Sequence, residues 1–299
     1  MKEYINNLID NFEKTTNKKN KINIDLILDG GAFSGSYLIG SLLYLKEMEK
    51  RNFININRIS GCSIGSMLSL VYKLDVLDTH EKVYKLVKKG LKNKNMKSYY
   101  SVLNILEKYM PKDFYKQCNN NIYITYYDIL TTKQIVKSKY INNNELIETV
   151  KKSSHIPYAI SGKYLYKNRY LDGLHPYIFN NKINVKTIFL DLCSNGYLFK
   201  MLYIKNEENN TERIMEGILK CHSYFFTNQG SNYIYEIYDY SINTLVQRFN
   251  LQLRIKLVNL LVYFIKILSY LNNKKNNKFK WISNYLKKKI QYILLYNSN

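Results

Sequence analysis

The stretch that decides the fold class is Ile54-Asn55-Ile56-Asn57-Arg58-Ile59-Ser60-Gly61-Cys62-Ser63-Ile64-Gly65-Ser66-Met67-Leu68. Its first part carries Ile54, Ile56 and Ile59, a short β-branched run that reads as a strand ended by Gly61. Straight after Gly65 a helical pattern resumes, over Ser66 to Lys73. Between the two, Gly61-Cys62-Ser63-Ile64-Gly65 has the G-x-S-x-G form of a strained strand-to-helix elbow that exposes a serine hydroxyl. Gly61 and Gly65 leave room for the chain to fold back without side-chain clashes. The helix start points free N–H groups and a positive dipole end at the same place. The motif alone also fits an ordinary tight turn. The strand before it and the helix after it favour Ser63 as a nucleophile.

Working upstream, Ile22-Asn23-Ile24-Asp25-Leu26-Ile27-Leu28 is a second short β-branched run, stopped by Asp29-Gly30-Gly31 and followed by a helix from Ser36 to Lys50. Strand, tight turn and helix are therefore written twice between Ile22 and Lys73. That repeat predicts a parallel α/β sheet with its functional residues at the carboxyl ends of the strands. The turn Asp29-Gly30-Gly31-Ala32-Phe33-Ser34-Gly35 is made of small residues whose N–H groups are free to face an anion. It can bind phosphate or serve as an oxyanion hole, and plain helix-start packing explains it equally well. The G-x-G-x-x-G spacing fails at Ala32 and no G-K-[ST] follows, so neither a dinucleotide fingerprint nor a P-loop is present.

Downstream, basic helices are expected over Glu81 to Lys97 and Ser101 to Tyr109, and a strand pair over Asn121 to Asp128 and Lys133 to Ser138 around a Thr-Thr turn. Glu145 to Ser153 reads as a helix, Tyr170-Leu171 leads into Asp172-Gly173, and Val185 to Leu192 is the last strand signal. Beyond Asn195 only helices are expected, chiefly Thr244 to Leu271 and Lys280 to Tyr296 across a polar linker at 272–278. At the other end, Tyr4, Ile5, Leu8, Ile9 and Phe12 mark a lead-in helix with helical spacing.

Hydrophobic residues make up 46% of the 299, including 30 Tyr and 12 Phe, which excludes a disordered chain despite its many Lys and Asn. The formal charge of +22 calls for an acidic partner or for compositional drift toward Lys, Asn, Ile and Tyr. Its distribution says more than its sum. From Ser241 onward there is no Asp or Glu, while Arg248, Arg254, Lys256, Lys266 and further lysines up to Lys289 lie there. Cys62, Cys118, Cys193 and Cys221 are widely spaced, with no metal-ligand spacing and no disulfide framework, so free thiols, no metal and no cofactor are expected. The first 21 residues contain no apolar stretch of signal-peptide type, which predicts a cytoplasmic protein.

Taken in order, these motifs resemble a family. A D-G-G loop after the first strand, a G-x-S-x-G elbow, an Ile-Pro segment at Ser153-Ser154-His155-Ile156-Pro157 and the turn Tyr170-Leu171-Asp172-Gly173 together are similar to the patatin-like phospholipases. The resemblance covers 22–195. It implies a three-layer α/β sandwich with a mainly parallel central sheet flanked by helices, here between a lead-in helix at 1–21 and a basic, mainly helical region at 196–299. It further implies lipid acyl hydrolysis by a dyad without histidine, with Ser63 as nucleophile, Asp172 as base and an oxyanion hole at Gly30, Gly31 and Ala32. Three departures stand out. Ala32 replaces a third glycine, a modest change for a residue of negative φ. Ser34 replaces a basic residue, and Leu174 follows Asp172-Gly173 where the family carries Gly or Ala.

Two other functions fit the same residues. One is an α/β-hydrolase triad of Ser63, Asp191 and His222, whose chain order is allowed. The other is a catalytically inactive protein that binds membranes. The segment Leu257 to Leu268 is apolar but interrupted by Lys266 and flanked by Arg254 and Lys256, too short for a bilayer span. With Trp281, Tyr285 and Lys287 to Lys289, it predicts peripheral contact with anionic membrane surfaces. No motif supports specific nucleic-acid binding, and the sequence leaves the oligomeric state open.

Overall fold

β1 (Ile22–Leu28) sits at the centre of the sheet because its aliphatic residues are wanted on both faces: everything from Ile24 to Leu28 is buried. Leu26 and Leu28 join the larger core on one face while Ile27 joins a second core on the other, the alternation a pleated strand imposes. Asp25 is tolerated inside this run because β2 (Ile54–Gly61) sets Arg58 opposite it, and the two side chains form an ion pair. The computed structural model describes residues 1–15, 21–79, 98–157, 163–194 and 210–273, with isolated positions 81, 160, 285, 288, 289 and 292.

The central seven-stranded sheet is mixed. β3 (Ile122–Asp128), β2, β1 and β6 (Val185–Leu190) run parallel in that spatial order. Antiparallel strands finish it: β4 (Lys133–Lys137) and β5 (Tyr170–Leu171) on β3, and β7 (Ile234–Glu236) on β6. The β3–β4 pair around Thr131 and Thr132 is the pair the alternation predicted. β7 corrects the expectation that no strand follows Asn195. It is three residues long, and only its pairing with β6 makes it a strand.

Helices flank both faces. α1 (Lys2–Thr15), α2 (Gly35–Lys50), α3 (Ile64–Lys73), α4 (Ser98–Glu107), α5 (Phe114–Cys118), α6 (Asn143–Ser153) and α7 (Asn210–Thr227) contribute to the larger core. α1 buries Ile5, Ile9 and Phe12, the predicted stripe. α2 and α7 approach so closely that a Cβ on Gly40 would lie 1.9 Å from the Ile214 carbonyl oxygen, and one on Gly217 2.1 Å from that of Tyr37. α8 (Ile242–Asn273) lies on the opposite face, where Leu251, Val262 and Ile265 are buried against strand and loop residues. The helix expected at Glu81 to Lys97, apart from Glu81, lies outside the described residues. So does most of Lys280 to Tyr296, including Trp281.

Candidate active site

Register alone gathers the site. Leu28 pairs with Gly61 on one side and with Leu190 on the other, so the chain leaves β1, β2 and β6 at one edge, as Asp29-Gly30, Cys62-Ser63 and Asp191. β5 pairs Leu171 with Tyr127 of β3 and so delivers Asp172 beside them.

Ser63 caps α3 with φ 51° and ψ −125°. A non-glycine residue held there stores about 1–3 kcal/mol of strain, which the surroundings must over-determine. They do so with three groups. Ser66 binds the Ser63 carbonyl through its N–H at 3.0 Å and its hydroxyl at 2.6 Å. The Ser63 N–H donates to Ser153 Oγ at 3.0 Å. Gly65 lies against β1, where a Cβ would be 2.5 Å from the Leu28 carbonyl oxygen and 2.6 Å from that of Asp29. No larger residue fits.

Ser153 also ties in the Asp172 turn, because its carbonyl accepts the Gly173 N–H at 2.9 Å. Gly173 itself is pressed against the elbow: a Cβ there would come within 2.8 Å of Cys62 Cβ and 2.4 Å of the Thr125 carbonyl oxygen. Asp172 is buried. Its Oδ1 accepts the Leu174 N–H at 2.9 Å, and its Oδ2 has no hydrogen-bond partner among the described residues. Burial pushes its carboxyl up to about 6; the Leu174 N–H and then the Ser63 hydroxyl work the other way. Ser63 thus stands close enough to favour the carboxylate, though without closing a well-formed hydrogen bond. Cys62, just before Ser63 in the chain, is fully buried. Burial, with Asp29 and Asp172 nearby, raises its thiol well above the usual range.

The glycine loop abuts the serine: a Cβ on Gly30 would lie 3.1 Å from Ser63 Cβ. The predicted oxyanion set divides, however. The Gly30 N–H is already spent on Asp29 Oδ1, at 2.9 Å, whereas those of Gly31 and Ala32 donate to nothing among the described residues. Ala32 has φ 38° and Leu174 φ 57°, so both of these departures from the family pattern fall at positive φ, where glycine is favoured. The change at Ala32 is therefore a strained one rather than the modest one expected of negative φ. Leu174 is the centre of a tight turn closed by His175 N–H to Gly173 O at 2.6 Å.

Ser34 is buried, and its hydroxyl has no partner among the described residues. A cation reaches the loop from elsewhere. Arg254, on α8, donates from Nη1 to Asp29 Oδ2 at 2.9 Å and to Asp191 Oδ1 at 3.1 Å, and from Nη2 to Asp29 Oδ1 at 3.3 Å.

A family model, patatin-like phospholipase, matches residues 26–183, just over half of the chain. The chain belongs to the patatin-like phospholipase family. Comparison with the curated proteins finds no match. The matched stretch of this patatin-like chain runs from β1 past the Asp172 turn, so it contains the glycine loop, the Ser63 elbow and the Asp172 turn, while β6 with Asp191 and α8 with Arg254 lie beyond it. Membership places the protein among hydrolases that act on lipid esters.

The triad residues are not brought together in this patatin-like fold. His222 Nδ1 bonds Tyr44 Oη at 3.1 Å, and Asp191 bonds Arg254, the Cys193 N–H and Tyr235 Oη. Of the other described histidines, His155 bonds Tyr100 and the Lys163 carbonyl, and His175 bonds Tyr127 and Gln134. Burial holds His155 down to about 4, so it is a neutral structural group. Arg254 and Ser153 are the residues that sequence reading missed. Arg254 was one cation in a basic segment, and Ser153 was one small residue in an Ile-Pro segment.

Proposed function

We propose that the chain cleaves lipid esters through a Ser63–Asp172 dyad and an acyl-enzyme intermediate. The observation that carries this reading is the Asp172 carboxyl: buried, with one oxygen that has no hydrogen-bond partner among the described residues, beside a serine held at a strained elbow. An acceptor left empty in a buried site costs stability, and a catalytic role is one reason for a fold to keep it. Asp172 takes the Ser63 proton as Oγ attacks the ester carbonyl carbon. Negative charge develops on the carbonyl oxygen, where the Gly31 and Ala32 N–H groups, which have no acceptor among the described residues, can receive it. Collapse expels the alcohol portion, which leaves with the proton held by Asp172. A water deprotonated by Asp172 then releases the fatty acid and restores Ser63.

The test is covalent labelling with a fluorophosphonate probe, together with product analysis on phospholipid and neutral-lipid vesicles. Ser63→Ala abolishes both labelling and product. An unlabelled wild type, or a Ser63→Ala variant that labels equally, overturns the reading in favour of an inactive membrane binder. His222→Ala retains near-normal turnover, whereas a histidine triad predicts a loss of about 10⁴-fold or more.

The substrate's location is supported by α8. Its inner stripe, Leu251, Ile255, Val258, Val262 and Ile265, packs on the sheet. Its outer stripe, Leu245, Phe249, Leu253, Leu257, Leu260 and Phe264, is exposed. A helix apolar on both sides needs a partner for the second. An anionic lipid surface is the partner that fits. The segment lacks acidic residues and carries Arg248, Lys256 and Lys266, each basic group near such a surface contributing about 1 kcal/mol. A second copy would instead bring two cationic stripes together. No helix among the described residues is long and apolar enough to cross a membrane, and a helix with one outward apolar stripe suits contact in the plane of the lipid surface. Leu257→Glu with Leu260→Glu reduces co-sedimentation with phosphatidylglycerol vesicles. Unchanged co-sedimentation, or a salt-insensitive dimer that the double variant dissolves, refutes the lipid contact.

A further inference from the structure

Asp29 ends β1 and Asp191 ends β6, and the Leu28–Leu190 register sets the two carboxyls side by side. Two neighbouring carboxylates in a buried setting repel each other and resist ionisation. Burial raises Asp29, and Arg254 opposes that rise. The Arg254 guanidinium is itself disfavoured by burial, but Asp29 and Asp191 more than compensate and hold it protonated. The remaining acceptor capacity of Asp29 goes to backbone: Oδ1 to the Gly30 N–H at 2.9 Å, Oδ2 to the Leu192 and Cys193 N–H groups at 3.2 Å each. One carboxylate therefore joins the start of the glycine loop, the end of β6 and α8.

We infer that Arg254 is a positioning residue: by bridging Asp29 and Asp191 it fixes the Gly30–Ala32 backbone against Ser63, where the Gly31 and Ala32 N–H groups can meet the reacting oxygen. The inference rests on the acyl-hydrolase reading of Ser63. Tolerances at this contact are tight. With the Gly30 Cβ direction only 3.1 Å from Ser63 Cβ, a loop shift of a few tenths of an ångström is felt at the serine. Removing the guanidinium leaves two buried carboxyls facing each other, and a protonated Asp29 gives up acceptor strength toward the N–H groups that hold the loop. Lysine keeps the charge but has no planar fork with which to grip two carboxylates at once. The same helix reaches the other side of the site, because Asn259 Oδ1 accepts from Tyr127 Oη at 2.7 Å and that hydroxyl also bonds His175.

The experiment uses the full chain and a monomeric ester, p-nitrophenyl butyrate, so that lipid docking does not contribute. Arg254→Gln is expected to lower kcat on the order of 100-fold, the scale of losing an oxyanion donor, with little change in KM. Arg254→Lys recovers part of that loss, and amide hydrogen exchange over 29–34 quickens in Arg254→Gln. A wild-type kcat in Arg254→Gln overturns the inference whatever exchange does, and so does a rise in KM alone. Should the Gln variant fail to fold, Arg254→Lys carries the test, and a wild-type kcat there overturns it. Ser63→Ala keeps the two readings apart. Activity surviving in Ser63→Ala defeats the dyad, whereas activity lost there and kept in Arg254→Gln defeats only the role of Arg254.

Discussion

Asp172→Asn changes one atom of the buried site and should gain stability relative to the wild type as pH rises, while it makes the protein inactive. The amide is isosteric, and its Oδ1 can still accept the Leu174 N–H now at 2.9 Å. What disappears is a carboxylate that folding pushes from 3.8 up to about 6. The sign follows from proton binding: the folded state holds the Asp172 proton more tightly than the unfolded chain does. Ionised Asp172 therefore costs stability, fully so above about pH 6, and the cost fades as pH falls toward 4. A rise of about two units corresponds to about 3 kcal/mol at pH 8 and about half that at pH 5. The new Nδ2 donor carries its own burial penalty, but that penalty is independent of pH. The informative quantity is thus the change in the difference between variant and wild type, which should move about 1.5 kcal/mol in the variant's favour from pH 5 to pH 8. Urea unfolding of both proteins at each pH measures it, and every other titrating group cancels. A difference that stays flat, or that moves toward the wild type as pH rises, refutes the picture of a base destabilised by burial. Turnover by the variant should fall by about 10⁴-fold or more, as removal of a catalytic base does elsewhere.

Because the base must be ionised, wild-type kcat/KM should fall about tenfold per pH unit below a midpoint near 6, and a profile flat from pH 5 to 8 argues against Asp172 as the base. Ser153→Ala leaves the buried Ser63 N–H without its acceptor. It should cost about 1–3 kcal/mol in urea unfolding and slow fluorophosphonate labelling, while wild-type labelling rates would show that Ser153 does not hold the elbow. Ala32→Gly relieves a positive φ and should add about 1 kcal/mol to the unfolding free energy; a loss of stability would mean that Ala32 is not strained.

What could be read from the sequence and what could not divide along one physical line. β1, β2, the β3–β4 pair and the helices at α1, α2, α3 and α6 announce themselves through residues adjacent in the chain: β-branched runs, glycine turns and helical spacing. The Ser63 elbow and the Asp172 turn are local in the same way, and their order along the chain carried the family resemblance. The features that escaped are made by pairs far apart. β7 is too short to show alternation and exists only because β6 offers it a free edge. Arg254 is 225 residues from Asp29, and nothing around it separates an inward cation from the outward ones at Arg248 and Lys256 until the helix is laid on the sheet. The φ of Ala32 and Leu174 is likewise imposed by what their turns must reach. The Asp29 carboxylate belongs with these: it takes the Gly30 N–H one residue on, where the usual aspartate turn would take the N–H two residues on at Gly31, because Arg254 and the end of β6 fix its orientation.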